Sequence, residues 1–344
     1  MTPKTTKSVR LIGPPSSVHT MLWADSFIQH GHDVEIVGIQ GRVFVGLVRT
    51  CLRGLRERAL GRRVDVTVVH SLGTHALASL MLPRGRRHIV VPWGSEVVAA
   101  RRSKMRSHVA RMVLSRADLV LVTSQAMALV IADQWRISEG ITKVVSWGVS
   151  SLFLEQTDPS SIPESHSVRA RLGVSPDDLL VVAPRGISRT YRSDELRQAF
   201  AAARSGRKDL RLVVLGADAE GATAGDGEVL LPYLPKPELA ELFAAADLVV
   251  SIPPDDQRST TVLEAAASGA ALVLSDIHPY RELIQLGIEA TLVGEPVGPF
   301  LCAVLAQAGR MEPEASQRNR SLMRLHEDQQ RQMAQVVCLC ITED

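Results

Sequence analysis

Aromatic side chains make up only 4% of this 344-residue sequence, and none are interleaved with its many arginines. Single-stranded nucleic acid is held by stacking bases on aromatics along a basic groove, so nucleic acid is not an expected partner. Cysteine is scarcer still, with four residues. Cys51, Cys302, Cys338 and Cys340 have no metal-like grouping, and the CLC near the end reads as packed apolar surface. No metal site is expected. The opening MTPKTTKSVRLIG lacks the apolar core of a signal peptide, and no apolar run approaches the ~20 residues that span a bilayer. The expected location is the reducing cytoplasm, with any membrane contact peripheral, on the inner face of the cell membrane.

What is present is a composition of 45% hydrophobic and 22% charged residues over a length that favours two domains. The net charge of +2 hides a division. Residues 1–150 carry 21 Lys and Arg against 9 Asp and Glu, whereas the remainder carries 18 against 28. The positive charge gathers in segments 49–63, 84–87 and 101–116. The last can form a helix with Met105, Val109, Met112 and Val113 as one apolar stripe, and such a face suits an anionic lipid surface. An ordinary solvated helix is the plainer alternative.

Short apolar runs alternate with helical stretches throughout. In the first half they lie at 8–13, 34–39, 64–70, 88–92, 118–124 and 143–147, and in the second at 179–184, 210–216, 228–231, 247–251, 271–275 and 290–294. Strands apolar on both faces with helices between them mark parallel α/β sheets. The pattern occurs twice around the Ser- and Pro-rich segment 150–168, which reads as a linker. The expected fold class is therefore α/β, with two doubly wound, Rossmann-like domains (1–155 and 168–320) facing each other across a cleft. A C-terminal helix over 321–344 is expected to cross back to the first. Ligands in such folds lie at the carboxyl ends of the strands.

The stretch DLVVSIPPDDQRSTTVLEAAASGAALVLSD (247–276) places Asp256 and Glu264 around a helix beginning near Ser259, whose hydroxyl can cap it. These residues read equally as a cap with first-turn acids or as a phosphate-holding helix start. His70 ends the strand VVHSLGTH, a position open to a ligand or to the core. His19 divides evenly between a site residue and a locally packed one.

Four stretches carry a resemblance from about residue 8 to the end: GPPSSVHTMLWADSFIQHGHDVEIVG, VVPWGSEV (90–97), VVSWGV (144–149) and the 247–276 segment. Together they resemble the GT-B-fold retaining glycosyltransferases of family four (glycosyl transferases group 1). The resemblance implies a metal-independent, retaining enzyme of polysaccharide biosynthesis. It would move a sugar from a nucleotide-sugar, a UDP- or GDP-sugar, to a glycan, lipid-linked or small-molecule acceptor, with no other cofactor. Glu264, expected in the first helical turn, would read the ribose hydroxyls. Ser259, Thr260, Thr261 and Val262 would bring amides to the diphosphate, and Asp256 would reach the donor sugar. Arg185 in PRGISRTYRSDEL would stabilise the leaving diphosphate. The family lysine is here Thr190, with Arg189 or Arg192 as substitutes. Tyr233 to Pro235 would lie along the base, Gly13 would begin the donor-side first loop, Ser16, Ser17, His19, Ser95 and Glu96 would line the acceptor side, and His70 is expected to be catalytic with Arg185 and Asp256. The absent lysine, the family histidine whose place is taken here by Trp93 or Gly94, and Asp256 where Glu is usual keep open a catalytically weak homologue serving as an accessory subunit. An epimerase of the same fold would need paired acids and a His around one sugar carbon, and no such cluster can be placed.

Overall fold

Runs rich in Val, Leu and Ile form twelve strands, all paired in parallel, in a computed structural model that describes residues 6–39, 41–155, 168–216 and 223–342. The chain divides into two units, Met1–Trp147 with Gln330–Asp344, and Gly148–Gln329. Most of the 150–168 linker lies outside the described residues; its first part is a short helix, Ser151–Leu154, with Phe153 and Leu154 buried.

The first unit's sheet contains β1 (Ser8–Ile12), β2 (Asp33–Val37), β3 (Val66–His70), β4 (Arg87–Val91), β5 (Leu119–Val122) and β6 (Thr142–Val144), in the order β2-β1-β3-β4-β5-β6. Its helices are α1 (Val18–Gln29), α2 (Val43–Ala59), α3 (Thr74–Met81), α4 (Ser95–Arg101), α5 (Lys104–Leu114) and α6 (Gln125–Trp135). Alternate residues point to opposite faces of a strand, so Val68 and Leu121 enter one core while Val69, Val90 and Val120 enter the other.

In the second unit α7 is Ser151–Leu154, and the sheet comprises β7 (Leu179–Ala183), β8 (Leu210–Val214), β9 (Glu228–Leu230), β10 (Leu248–Ser251), β11 (Ala271–Ser275) and β12 (Thr291–Val293). The order is β12-β11-β10-β7-β8-β9. Helices α8 (Ser193–Gly206), α9 (Lys236–Ala245), α10 (Thr260–Ser268), α11 (His278–Gln285), α12 (Val297–Gln307) and α13 (Pro313–His326) accompany it. The apolar strands again divide between two cores, with Val182, Val249 and Leu272 in one and Val181, Val250 and Val273 in the other. That is the burial a parallel sheet with both faces covered requires. The last helix, α14 (Gln329–Ile341), buries Met333, Val336, Val337 and Cys340 in the first unit's core beside Trp23, Val145 and Trp147.

Each sheet reverses its strand order once, between β1 and β3 and between β7 and β10. Loops leaving the carboxyl ends of those neighbours diverge and leave a crevice, the position at which ligands bind in open α/β sheets. Arg185 follows β7 and the loop carrying Asp256 and Ser259 follows β10; Gly13 follows β1, and His70 ends β3.

Two predicted elements differ. The helix expected over 321–344 is divided between α13, which ends at His326, and α14, which begins at Gln329. Segment 101–116 is two pieces: α4 ends at Arg101, and Ser103 caps a new helix by accepting from the Arg106 amide. The expected stripe lies wholly within α5, but the side that this helix buries is Ala110, Val113 and Leu114, and Met105 is 75% exposed.

Candidate functional site

At the switch point of the second sheet, the guanidinium of Arg185 lies against Asp256, Nη1 to Oδ2, at 2.8 Å, and also donates to the hydroxyl of Ser259. It stands over the Tyr191 ring, 4.6 Å from the centroid. Burial is the largest influence and opposes the charge of Arg185, but Asp256, Tyr280 and Tyr191 together outweigh it and raise the arginine's pKa. Asp256 Oδ2 also accepts from the Tyr280 hydroxyl at 2.7 Å, and Oδ1 accepts from the Gln257 amide at 2.8 Å. Tyr280 is fully buried, with Ser251 Oγ 3.3 Å from its oxygen; burial, then the Asp256 charge, pushes its pKa well above the ordinary value.

Ser259 occupies the N-cap position of α10 with extended backbone, but its side chain makes no cap. The predicted cap is replaced by the bond from Arg185. The Val262 amide turns back to the Ser259 carbonyl at 3.1 Å, which leaves Thr260 and Thr261 as the first-turn residues whose amides have no partner among the described residues. A helix start with uncapped N–H groups and a cation alongside favours an anion.

Glu264 is the fifth residue of α10, not a first-turn acid, and is 2% exposed. Its Oε1 accepts from Lys236 at the start of α9, whose ammonium also lies 5.5 Å from the Phe153 ring centroid. Oε2 is buried with no hydrogen-bond partner. Burial raises the Glu264 pKa more than Lys236 lowers it. A buried carboxylate oxygen without a donor is costly, and a hydroxyl from a ligand would satisfy it.

The other expected residues of this unit are less closely gathered. Tyr233 is 60% exposed and lies over Gly186 and Gly216, where added Cβ atoms would come within 2.4 and 2.6 Å of its ring system. Its hydroxyl donates to the Arg185 carbonyl at 3.4 Å. Arg189 begins an exposed single turn. Arg192, the other candidate for the absent lysine, is instead tied to Glu295 at 2.6 Å.

In the first unit, His70 does not project from its strand end but is completely buried. Its Nδ1 lies 3.3 Å from Thr20 Oγ1, and Nε2 has no hydrogen-bond partner. Burial, helped by His19 and His75, lowers its pKa to about 3, so the ring is neutral near neutrality. Trp23 and Trp93 meet it edge-on at 4.8 and 5.6 Å. His19 packs edge-on to Trp147 at 4.1 Å. An added Cβ on Gly13 would come within 3.0 Å of both His70 and Thr20, which explains glycine at the tip of β1. Ser16 is exposed and Ser17 half-buried; Ser95 opens α4. Glu96 accepts the amides of Trp93 and Leu72 at 2.5 and 3.3 Å, so its carboxylate organises the loop after β4.

Sequence reasoning passed over Tyr280 and Lys236. Tyr280 follows the carboxyl end of β11, a position that the strand-end rule could have flagged. Lys236 is 28 residues from Glu264, and no local pattern links the two.

No family model matches this sequence. Nor does any curated protein match it. Solved structures do. HepE from Anabaena, in complex with UDP-glucose, has a TM-score of 0.72 at 16% identity, covering 97% of this chain and 100% of that one. Sucrose-phosphate synthase from Thermosynechococcus elongatus scores 0.74 at 15% identity over 97% and 98% of the two chains. WaaG, a glycosyltransferase involved in lipopolysaccharide biosynthesis, scores 0.68 at 13% identity over 98% and 100%. At these identities the likeness is one of fold, and the fold is GT-B: two Rossmann-like parallel-sheet units in one chain.

Proposed function

We propose that this protein is a glycosyltransferase that takes a sugar from a nucleotide-sugar, a UDP- or GDP-sugar, and passes it to a glycan, lipid-linked or small-molecule acceptor with retention of configuration and without a metal. The observation that carries this reading is the convergence of Arg185, Asp256 and Ser259 on one helix start at the switch point of the second sheet, with buried Glu264 further along the same helix. Solved structures of the same fold support it, since HepE was crystallised with UDP-glucose and with UDP and glucose.

The donor's diphosphate would sit against the free amides of Thr260 and Thr261 with Arg185 beside it. Breaking the bond between sugar and diphosphate places negative charge on the leaving phosphate. A fixed guanidinium and helix amides stabilise that charge without reorganising. Glu264 Oε2 would accept a ribose hydroxyl, and the remaining lone pair of Asp256 Oδ1 would accept one from the donor sugar. Tyr233 would lie along the base, and exposed Arg189 would answer for the absent lysine. The residues at the strand ends of the first unit, Ser16, Ser17, His19, Ser95 and Glu96 around buried His70, make up the proposed acceptor side. No side chain is cast as a nucleophile; positioning and electrostatics supply the rate.

The test is a thermal-shift screen with UDP, GDP, ADP and their sugar conjugates. Saturation at a hundredfold excess over Kd adds about 2.7 kcal/mol, enough to raise the Tm measurably. One nucleotide is expected to stabilise the wild type and not Glu264→Ala. Stabilisation by none of them would favour a non-catalytic binding subunit instead.

A further inference from the structure

Large exposed apolar side chains of the first unit gather on α2, the helix that follows the carboxyl end of β2. Phe44 is 78% exposed and Leu52 62%, with Leu55 and Val48 also open to solvent. At 100° per residue these four fall within about 80° of the helix circumference. The opposite side is built from Gly46, Thr50 and Gly54, all buried, and the backbone at Gly54 presses against the end of α3, where an added Cβ would meet the Met81 carbonyl oxygen at 1.9 Å. The orientation is therefore fixed: small residues face the protein and large apolar ones face out. A surface helix of a globular protein has the reverse arrangement.

The charge around this face has one sign. Arg49 and Arg56 border the apolar arc on one side and Arg58 on the other, all exposed. Arg62 and Arg63 follow in the same exposed stretch. The single acid between residues 41 and 63 is Glu57, which is buried and held by Arg10 at 3.0 Å and Arg53 at 2.7 Å. Nothing acidic on the outer face offsets the arginines.

We infer that α2 is a membrane-docking helix that lies in the plane of an anionic lipid surface, with Phe44, Val48, Leu52 and Leu55 entering the acyl boundary and Arg49 and Arg56 contacting the headgroups. An apolar arc bordered by cations is the amphipathic pattern of an interfacial helix, and each headgroup-level arginine strengthens binding to anionic lipid several-fold. A bilayer answers both halves of the surface at once. Among the described residues no helix is long and apolar enough to cross one, so attachment through α2 is peripheral. The inference places the lipid-facing surface on α2 rather than on segment 101–116, whose expected stripe is divided, Val113 being buried and Met105 and Met112 exposed. It stands independently of the donor site.

The test is co-sedimentation of the full chain with phosphatidylglycerol–phosphatidylcholine vesicles and with phosphatidylcholine alone. It uses wild type, Phe44→Ser with Leu52→Ser, and Arg49→Glu with Arg56→Glu; all four positions are exposed, and unchanged Tm values would show that the variants fold. Wild type is expected to bind the anionic vesicles, more weakly at high salt, and each α2 variant to lose at least about tenfold in affinity. Three results would overturn the inference: undiminished binding by the α2 variants, loss confined to charge reversal at Arg101, Arg102 and Arg106, or no vesicle binding together with a dimer that the α2 substitutions dissociate. The last would assign the face to a second copy of the chain.

Discussion

A guanidinium taken out of water costs several kcal/mol unless its charge and its N–H groups are answered. Arg185 is answered by Asp256, Ser259 and the face of Tyr191, so the arginine is held in one place before any ligand arrives. Tyr280 extends the arrangement from below, its hydroxyl bonded to the same carboxylate oxygen. Tyr280→Phe keeps the ring packing and removes that bond, leaving half-buried Asp256 short of one donor. Urea unfolding is expected to show a loss of about 1–3 kcal/mol; a loss below about 0.5 kcal/mol would show that the hydroxyl does not support Asp256. At this scale the sequence was partly legible. Arg185, Asp256 and Ser259 could be picked out because each lies at a strand end or helix start. Their contacts with one another could not, since Arg185 is 71 residues from Asp256. Ser259 shows the physical reason a local rule can miss: a hydroxyl offered both a neutral amide and a nearby cation goes to the cation.

Elements were the most legible level. Strands buried on both faces must be apolar at successive positions, and those runs lie at β1 to β12. Helices were harder. In α5 the buried side is Ala110, Val113 and Leu114 rather than the expected stripe, and in α2 the apolar residues point outward, so that the arginines dominated the reading. What fixes α2 is its small-residue side against α3 together with the Arg10–Glu57 ion pair. Gly54→Ala tests this. Alanine is better than glycine in a helix by about 1 kcal/mol, but its Cβ must displace the Met81 backbone, and overpacking costs about 1–3 kcal/mol. A net loss of about 1 kcal/mol or more is expected in thermal or urea unfolding. A neutral or stabilising effect would mean that α2 does not sit so closely on α3.

Over the whole chain, two sheets of the same kind carry different chemistry at their switch points. The second gathers a cation, free helix amides and a buried carboxylate with one oxygen unpartnered. The first gathers neutral His70 among tryptophans, with hydroxyls at Ser16, Ser17 and Ser95 nearby in the strand-end loops. This difference was visible early only as a division of charge, positive in the first half and negative in the second, because net charge registers neither burial nor direction. The central claim is that the second of these places holds a nucleotide-sugar and stabilises departure of its diphosphate. Its most direct test is release of nucleoside diphosphate from a panel of UDP- and GDP-sugars by wild type, Arg185→Ala and Glu264→Ala, each first shown to be folded. One donor is expected to be turned over by wild type, with a fall of about a hundredfold in Arg185→Ala, the size seen when a single charge-stabilising donor is removed. Turnover that survives Arg185→Ala undiminished, or a donor that binds and is never cleaved with any acceptor offered, would contradict it.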